Sequence, residues 1–235
     1  QTAGSRSFDS WSFTTQSIAM MKGKGLNLGR ALVVGAIADA AALSLVPKDC
    51  DIIELRLDSL GFGREMIRYA KKCNSPLLVT ARGPEEGGAH AMTISERRKA
   101  YEALMPYATA IDIELRSFGD LADVIALAKK EGVTVVGSFH DFEKTPPLED
   151  LESKIGEVAD IHKFATFVKT EEDLRIHRTL LESVKNLSVM GMGPLGGEAR
   201  PEMMKMGSLL NYGYLGETPT APNQWPVAKL KELAL

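Results

Sequence analysis

Apolar residues along this chain come in short runs separated by longer amphipathic stretches, and the alternation is regular from Arg30 onward. Runs of strand length lie at 31–38 (ALVVGAIA), 51–58 (DIIELRLD), 76–82 (PLLVTAR), 110–116 (AIDIELR), 133–142 (VTVVGSFHDF), 159–166 (ADIHKFAT), 187–196 (LSVMGMGPLG) and 212–217 (YGYLGE). The stretches between them are helix-compatible. They include the Ala-rich DAAALSLV, a segment near Arg64–Lys72, SERRKAYEALM with Ser95 as N-cap, and GDLADVIALAKKEG stopping at Gly132. LEDLESKIGEVA, EEDLRIHRTLLESV capped by Thr170, PEMMKMGSLL and a closing VAKLKELAL complete the series. Strands alternating with helices at this spacing imply parallel pairing through crossovers. Eight such pairs predict an α/β fold, a single-domain (β/α)8 TIM barrel over 31–235. An open doubly wound sheet is the alternative. Its usual cue, a GxGxxG after the first strand, is missing, since Gly35 stands alone.

Several of these runs carry ionisable residues where a buried strand normally has Val or Ile. Successive strand residues point to opposite faces, so residues two apart share one. In DIIELRLD, Glu54 and Arg56 share a face; in AIDIELR, Asp112, Glu114 and Arg116 do. Other runs contribute Arg82, Ser138 with His140, Lys163, and Met190 with Met192. Barrel strands need their apolar face against the helices, so the polar set should face the axis, toward the strand ends where barrel sites are built. Taken singly, Asp58, Asp112 and Arg116 read as salt-bridge or rim charges. As a set, Glu54, Arg56, Arg82, His140 and Lys163 exceed what stability alone requires. Of the remaining histidines, His162 should point into the helix layer, while His177 and His90 read as surface residues.

Composition narrows the class without changing the fold. The chain has 235 residues, 44% of them hydrophobic, which is enough for a sizeable core. Its formal net charge of −3, with acids and bases interspersed, gives no clustered basic face for nucleic acid. No apolar run approaches the ~20 residues of a membrane span. Residues 1–30 are polar and rich in Ser, Thr and Gly; they read as a flexible extension or leader outside the barrel. The two cysteines, Cys50 and Cys73, lack metal or CxxC spacing and read as reduced thiols of a cytosolic protein. No His, Cys or acid pattern predicts a metal.

The chemistry begins with Lys163. A lysine in a partly desolvated mouth beside Arg56 and Arg82 should have a lowered pKa and serve as a nucleophile. An amine attacks a ketone, and the protonated imine acidifies the neighbouring C–H. His140 can take or return that proton. Glu85 or Glu86 could orient the imidazole. The surplus arginines, Arg82 and Arg200 above all, point to an anionic substrate. Residue chemistry therefore reaches a Schiff-base lyase or aldolase for a small oxo-acid.

SFHDF, HKFAT, ELRLD, TARGPEEGG, the arginine after a Gly-rich seventh-strand loop, and TPTAPNQWP together resemble the type I 3-dehydroquinate dehydratases of the shikimate pathway. The resemblance spans 31–235. It implies loss of water from 3-dehydroquinate to give 3-dehydroshikimate. By position it implies Lys163 as the imine-forming lysine, His140 as general acid/base and Glu86 as the residue that orients it. Glu54, Arg56, Arg82, Met192, Arg200, Thr220 and Gln224 match substrate-binding residues. Gly35 falls where many members have a substrate-contacting serine, and Thr220 replaces a commoner serine. The resemblance further implies a cytoplasmic homodimer with no metal and no cofactor beyond the covalent imine. Two other readings share parts of this set: another class I Schiff-base aldolase, and a silent barrel kept as a ligand sensor. The first does not predict SFHDF with Arg200 and Gln224. The second does not predict both His140 and Lys163.

Overall fold

The computed structural model describes residues 25–44, 49–215, 219 and 223–233. Each apolar run overlaps a strand: β1 (Leu32–Ile37), β2 (Ile52–Arg56), β3 (Leu77–Thr80), β4 (Ala110–Glu114), β5 (Thr134–Asp141), β6 (Ile161–Phe167), β7 (Leu187–Met192) and β8 (Leu210–Tyr214), the last starting two residues before the run at 212–217. All pair in parallel in the order β7-β6-β5-β4-β3-β2-β1-β8, and a two-residue β9 (Trp225–Pro226) adds beyond β8. The ring closes where β8 meets β7. There Leu209 N donates to Leu187 O at 3.0 Å, and the Ser188 hydroxyl donates to Leu210 O at 2.6 Å. Ser208 Oγ accepts from Val189 N on the same seam. The expected barrel is therefore present.

The helices among the described residues are α1 (Leu57–Leu60), α2 (Arg64–Lys72), α3 (Ile94–Leu104), α4 (Ala122–Lys130), α5 (Leu148–Glu152), α6 (Glu171–Ser183), α7 (Gly193–Lys205) and α8 (Val227–Leu233). Where DAAALSLV suggested a first helix there is a short 3-10 turn, Ala40–Ser44. Gly132 ends α4's turn at φ 70, the left-handed conformation a helix stop requires. Thr170 caps α6 in a capping box with Asp173. Ser95 does not cap α3. Thr93 does, with Glu96 completing its box, so the helix starts one residue before Ser95.

Helix α7 starts at Gly193 rather than near Pro201, where PEMMKMGSLL suggested it. The run LSVMGMGPLG is thus a strand that turns directly into a helix. Gly193 has φ 78, and Pro194 sits in the first turn, where its missing N–H costs nothing. The turn brings β7 and α7 into backbone contact: a Cβ on Gly196 would lie 2.4 Å from the Gly191 carbonyl carbon. Gly196→Ala is expected to destabilise the fold by roughly 1–3 kcal/mol, because neither backbone can yield to an added methyl. Thermal unfolding measures it, and an unchanged midpoint would mean the helix can stand away from the strand.

Inside the ring the side chains form layers. Leu32, Val34, Ile52, Leu78, Ala110, Val136, Ile161 and Leu210 make an apolar floor, with Leu26 and Leu28 packed against it from below. Outward-facing residues such as Ile53, Leu55, Val79, Ile111, Ile113 and Val135 pack under the helices with Tyr101 and Leu104. The polar strand residues occupy the layers above the floor. A closed apolar base below and a polar interior above is what permits a site at the upper mouth alone.

His162 packs in the helix layer, as its parity predicts, and its Nε2 accepts from Gly156 N. His177 is not on the surface. It is 1% exposed on the inner face of α6, with Nε2 on the Thr166 hydroxyl and Nδ1 without a partner among the described residues. Burial pushes its imidazole down to about 4. Because the folded value lies below the ordinary 6.5, the unfolded chain binds the extra proton between those limits. Stability should fall as pH drops from 6.5 toward 4, by up to about 3 kcal/mol from this residue. His177→Gln should flatten that acid slope; identical slopes for both proteins would contradict the assignment.

Candidate active site

The C-terminal ends of the strands surround a cavity of about 270 Å³. That is the small end of the ligand-pocket range and suits a single ring rather than a nucleotide. Its wall includes Ala36, Glu54, Arg56, Arg82, Glu86, His140, Phe142, Lys163, Met190, Met192, Arg200, Tyr212 and Gln224. Among the candidates from sequence, Glu54, Arg56, Arg82, Glu86, His140, Lys163, Met192, Arg200 and Gln224 come together here. Thr220 lies outside the described residues.

Lys163 sits in the middle layer of β6, 3% exposed. Its Nζ donates to Asp112 Oδ2 at 2.7 Å and lies 4.4 Å from the centre of the Tyr212 ring. The nearest partner is thus an anion on β4, not the arginines alone. Burial still lowers the lysine pKa, with Asp112 opposing and Arg82 reinforcing. Asp112 is held at both oxygens: Oδ1 accepts from Arg82 Nη2 at 2.7 Å and from the Ser138 hydroxyl at 2.6 Å. Arg82 also donates to Ser138 at 2.5 Å. Burial tends to raise the Asp112 carboxyl, but Arg82 and Lys163 hold it far below the usual carboxylate range. It is therefore a fixed anion and a poor proton acceptor.

His140 stands two residues beyond Ser138 on β5, and Ser138 is the register partner of Lys163. At about 3.3 Å per residue, the imidazole lies one layer, or about 7 Å along the strand, nearer the mouth. Glu86 Oε2 is 2.8 Å from His140 Nδ1 and also accepts from the His140 backbone N–H at 3.0 Å. With Nδ1 protonated toward Glu86, Nε2 is left with its lone pair free for the cavity. Burial, reinforced by Arg82 and Lys163, pushes the imidazole well below 6.5. Burial likewise raises the Glu86 carboxyl to about 7. Of the two carboxylates considered from sequence, Glu86 reaches the imidazole and Glu85 is exposed.

The mouth is braced by further ion pairs and hydrogen bonds around the polar strand residues. Asp58 grips Arg56 through both oxygens, at 3.0 and 2.8 Å, and accepts from Arg82 N and Ala89 N. Glu114 pairs with Arg97 from α3 and accepts from Gly83 N, which fixes the loop carrying Glu86. Glu54 accepts from the Thr80 hydroxyl at 2.7 Å. Arg116 leaves the set, because β4 ends at Glu114 and the arginine is exposed on the following turn. Gly35 is not a wall position: a Cβ there would meet Leu215 and Cys50 on the outer side. Ala36 faces the cavity instead, one residue on.

Arg200 lies on α7, 8% exposed, with Nη1 donating to Tyr212 O at 3.0 Å and Nε without a hydrogen-bond partner among the described residues. No ion pair to a carboxylate joins it among the described residues. Burial lowers its pKa to about 10. A buried guanidinium without a counter-ion is costly unless an anion arrives. No three His, Cys, Asp or Glu side chains among the described residues gather as a metal centre, and no described helix is long and apolar enough to cross a membrane.

The Type I 3-dehydroquinase family pattern matches residues 35–234. The chain is 35% identical over 205 residues to the "Catabolic 3-dehydroquinate dehydratase" of Acinetobacter baylyi, covering 79% of this chain and 75% of that protein. It is also 35% identical over 187 residues to the 3-dehydroquinate dehydratase of Thermodesulfovibrio yellowstonii, covering 75% and 81%. The crystal structure of 3-dehydroquinate dehydratase from Geobacillus kaustophilus superposes with a TM-score of 0.78 at 23% identity, over 88% of this chain and 90% of that one, and shows the shared barrel. A match that runs from the first strand to the last helix, with relatives at this identity, settles the lineage: the chain belongs to the type I 3-dehydroquinase family.

Proposed function

We infer that this chain is a hydro-lyase that dehydrates 3-dehydroquinate to 3-dehydroshikimate through an imine on Lys163. The observation that carries the reading is the pairing of a buried lysine of lowered pKa with a neutral imidazole one layer above it on the neighbouring strand. The neutral amine adds to the ring ketone, and the carbinolamine loses water to give the protonated imine. That cation acidifies the adjacent C–H. His140 Nε2 takes the proton, leaving an enamine. The enamine electron pair expels the hydroxyl β to the former ketone, and His140 returns its proton to the departing oxygen. Water then hydrolyses the imine and frees Lys163. One water is released on forming the imine and one consumed on breaking it, so the net loss is the single water of dehydration.

The surrounding groups fit this scheme. Asp112 holds the amine in place, and Glu86 holds the imidazole in its reactive tautomer. Arg200 supplies the positive charge that the substrate carboxylate would neutralise. Met190 and Met192 give the ring an apolar wall, while Glu54, Arg56, Arg82 and Gln224 offer polar contacts around its hydroxyls. No external cofactor enters, since the electron sink is the imine itself. Family membership supports reading the chain as a cytoplasmic homodimer; light scattering giving a monomer mass would contradict the dimer.

The test is direct. Purified protein mixed with 3-dehydroquinate should generate the ultraviolet absorbance of a conjugated enone, with no metal added. Absence of that signal from folded protein would overturn the assignment.

A further inference from the structure

Among the described cavity-wall residues, Tyr212 is the one that takes no part in the imine or proton chemistry and whose polar atom is buried and unsatisfied. It lies on the inner face of β8, 6% exposed, and lines the cavity. Among the described residues its hydroxyl has no hydrogen-bond partner, whereas a buried phenol normally finds one. The nearby acids are committed elsewhere: Glu54 accepts from Thr80, and Asp112 accepts from Arg82, Ser138 and Lys163. The ring is anchored at both ends of the residue. Lys163 Nζ sits 4.4 Å from its centre, and Arg200 holds its backbone carbonyl at 3.0 Å.

This placement constrains what the hydroxyl can meet. A ligand joined to Lys163 Nζ must start over the face of the Tyr212 ring, and its carboxylate would pair with the guanidinium that holds the Tyr212 carbonyl. The substrate ring therefore spans the phenol, and one of its own oxygens falls to the unpaired hydroxyl. Burial and the Glu54 and Asp112 charges keep the phenol protonated, so it can act as a donor.

We propose that the Tyr212 hydroxyl donates a hydrogen bond to one hydroxyl of the substrate ring, and so selects hydroxylated ring ketones over analogues lacking that oxygen. The inference rests on the dehydratase reading. It makes Tyr212 a substrate-contacting residue that neither forms the imine nor moves the proton.

Tyr212→Phe keeps the ring and removes only the donor. In the empty enzyme this deletes an unsatisfied polar atom, so the thermal midpoint should rise by about 2–4 °C. With 3-dehydroquinate, kcat/KM should fall about tenfold, chiefly through KM, while borohydride trapping at saturating substrate stays complete. Against ketones lacking one ring hydroxyl in turn, compared by binding affinity because the analogue without the β-hydroxyl has no leaving group, the tenfold gap between the two proteins should persist for all but one, where it closes. A variant within twofold of the parent on every substrate would overturn the proposal. So would a loss of activity accompanied by a lower midpoint, or a gap that closes for no analogue. If the parent enzyme itself fails to dehydrate 3-dehydroquinate, the dehydratase reading falls, which is a different result from an active parent with an indifferent variant.

Discussion

Lys163→Ala is expected to reduce kcat by on the order of 10^5- to 10^6-fold, the scale on which deletion of a covalent nucleophile acts. Without the amine there is no imine, and without the imine the substrate C–H is only as acidic as an ordinary ketone's. The loss should be chemical rather than structural. Asp112 keeps Arg82 and the Ser138 hydroxyl as partners, so its charge is not left bare. Lys163→Met, which fills more of the vacated volume, should be equally inactive and closer to the parent in thermal midpoint. A Lys163 variant with more than a few per cent of parent activity would show that the amine is not the electron sink.

His140→Ala should lower kcat by about 10²- to 10⁴-fold, the usual worth of one positioned acid/base group. The amine and its Asp112 partner are untouched by this change, so the imine should still form and accumulate. The two variants therefore fail at different steps. The imidazole itself should impose no acid limb at 6.5, because its folded value lies well below that. The group of this pair that titrates near neutrality is Glu86, raised to about 7, whose protonation removes the acceptor that fixes Nδ1. An acid limb of kcat/KM at 6.5 that persists in Glu86→Gln would mean the histidine is not held in that environment. Near-normal turnover in His140→Ala would reassign the proton transfer.

The features that stood out in sequence did so because they broke a pattern. Lys163 and His140 occupy interior positions of apolar runs, where an ionisable group is conspicuous, and strand parity alone turned them toward the axis. The same parity put Asp112 inside, yet a site carboxylate and a structural salt bridge look alike on one strand. Only the neighbouring strands reveal that it touches both Lys163 and Arg82. Tyr212 was hidden by an end effect: the last strand starts at Leu210, before the run read as YGYLGE, so its parity was not in view. His177 shows the limit of helix patterns, since one polar residue in EEDLRIHRTLLESV does not declare which face meets the barrel. The start of α7 was obscured because Gly193 and Pro194 extend an apolar run smoothly while their backbone ends the strand. Gly35 and Ala36 differ by one position, and a one-residue shift in parity exchanges wall and core.

Trapping with borohydride addresses the central claim most directly. The parent enzyme, incubated with 3-dehydroquinate and reduced, should gain the mass of one reduced adduct per chain, and peptide mapping should put it on Lys163. His140→Ala should trap as fully or more so, and Lys163→Ala not at all. An adduct on any other lysine, or dehydration that proceeds with no trappable adduct, would contradict the account.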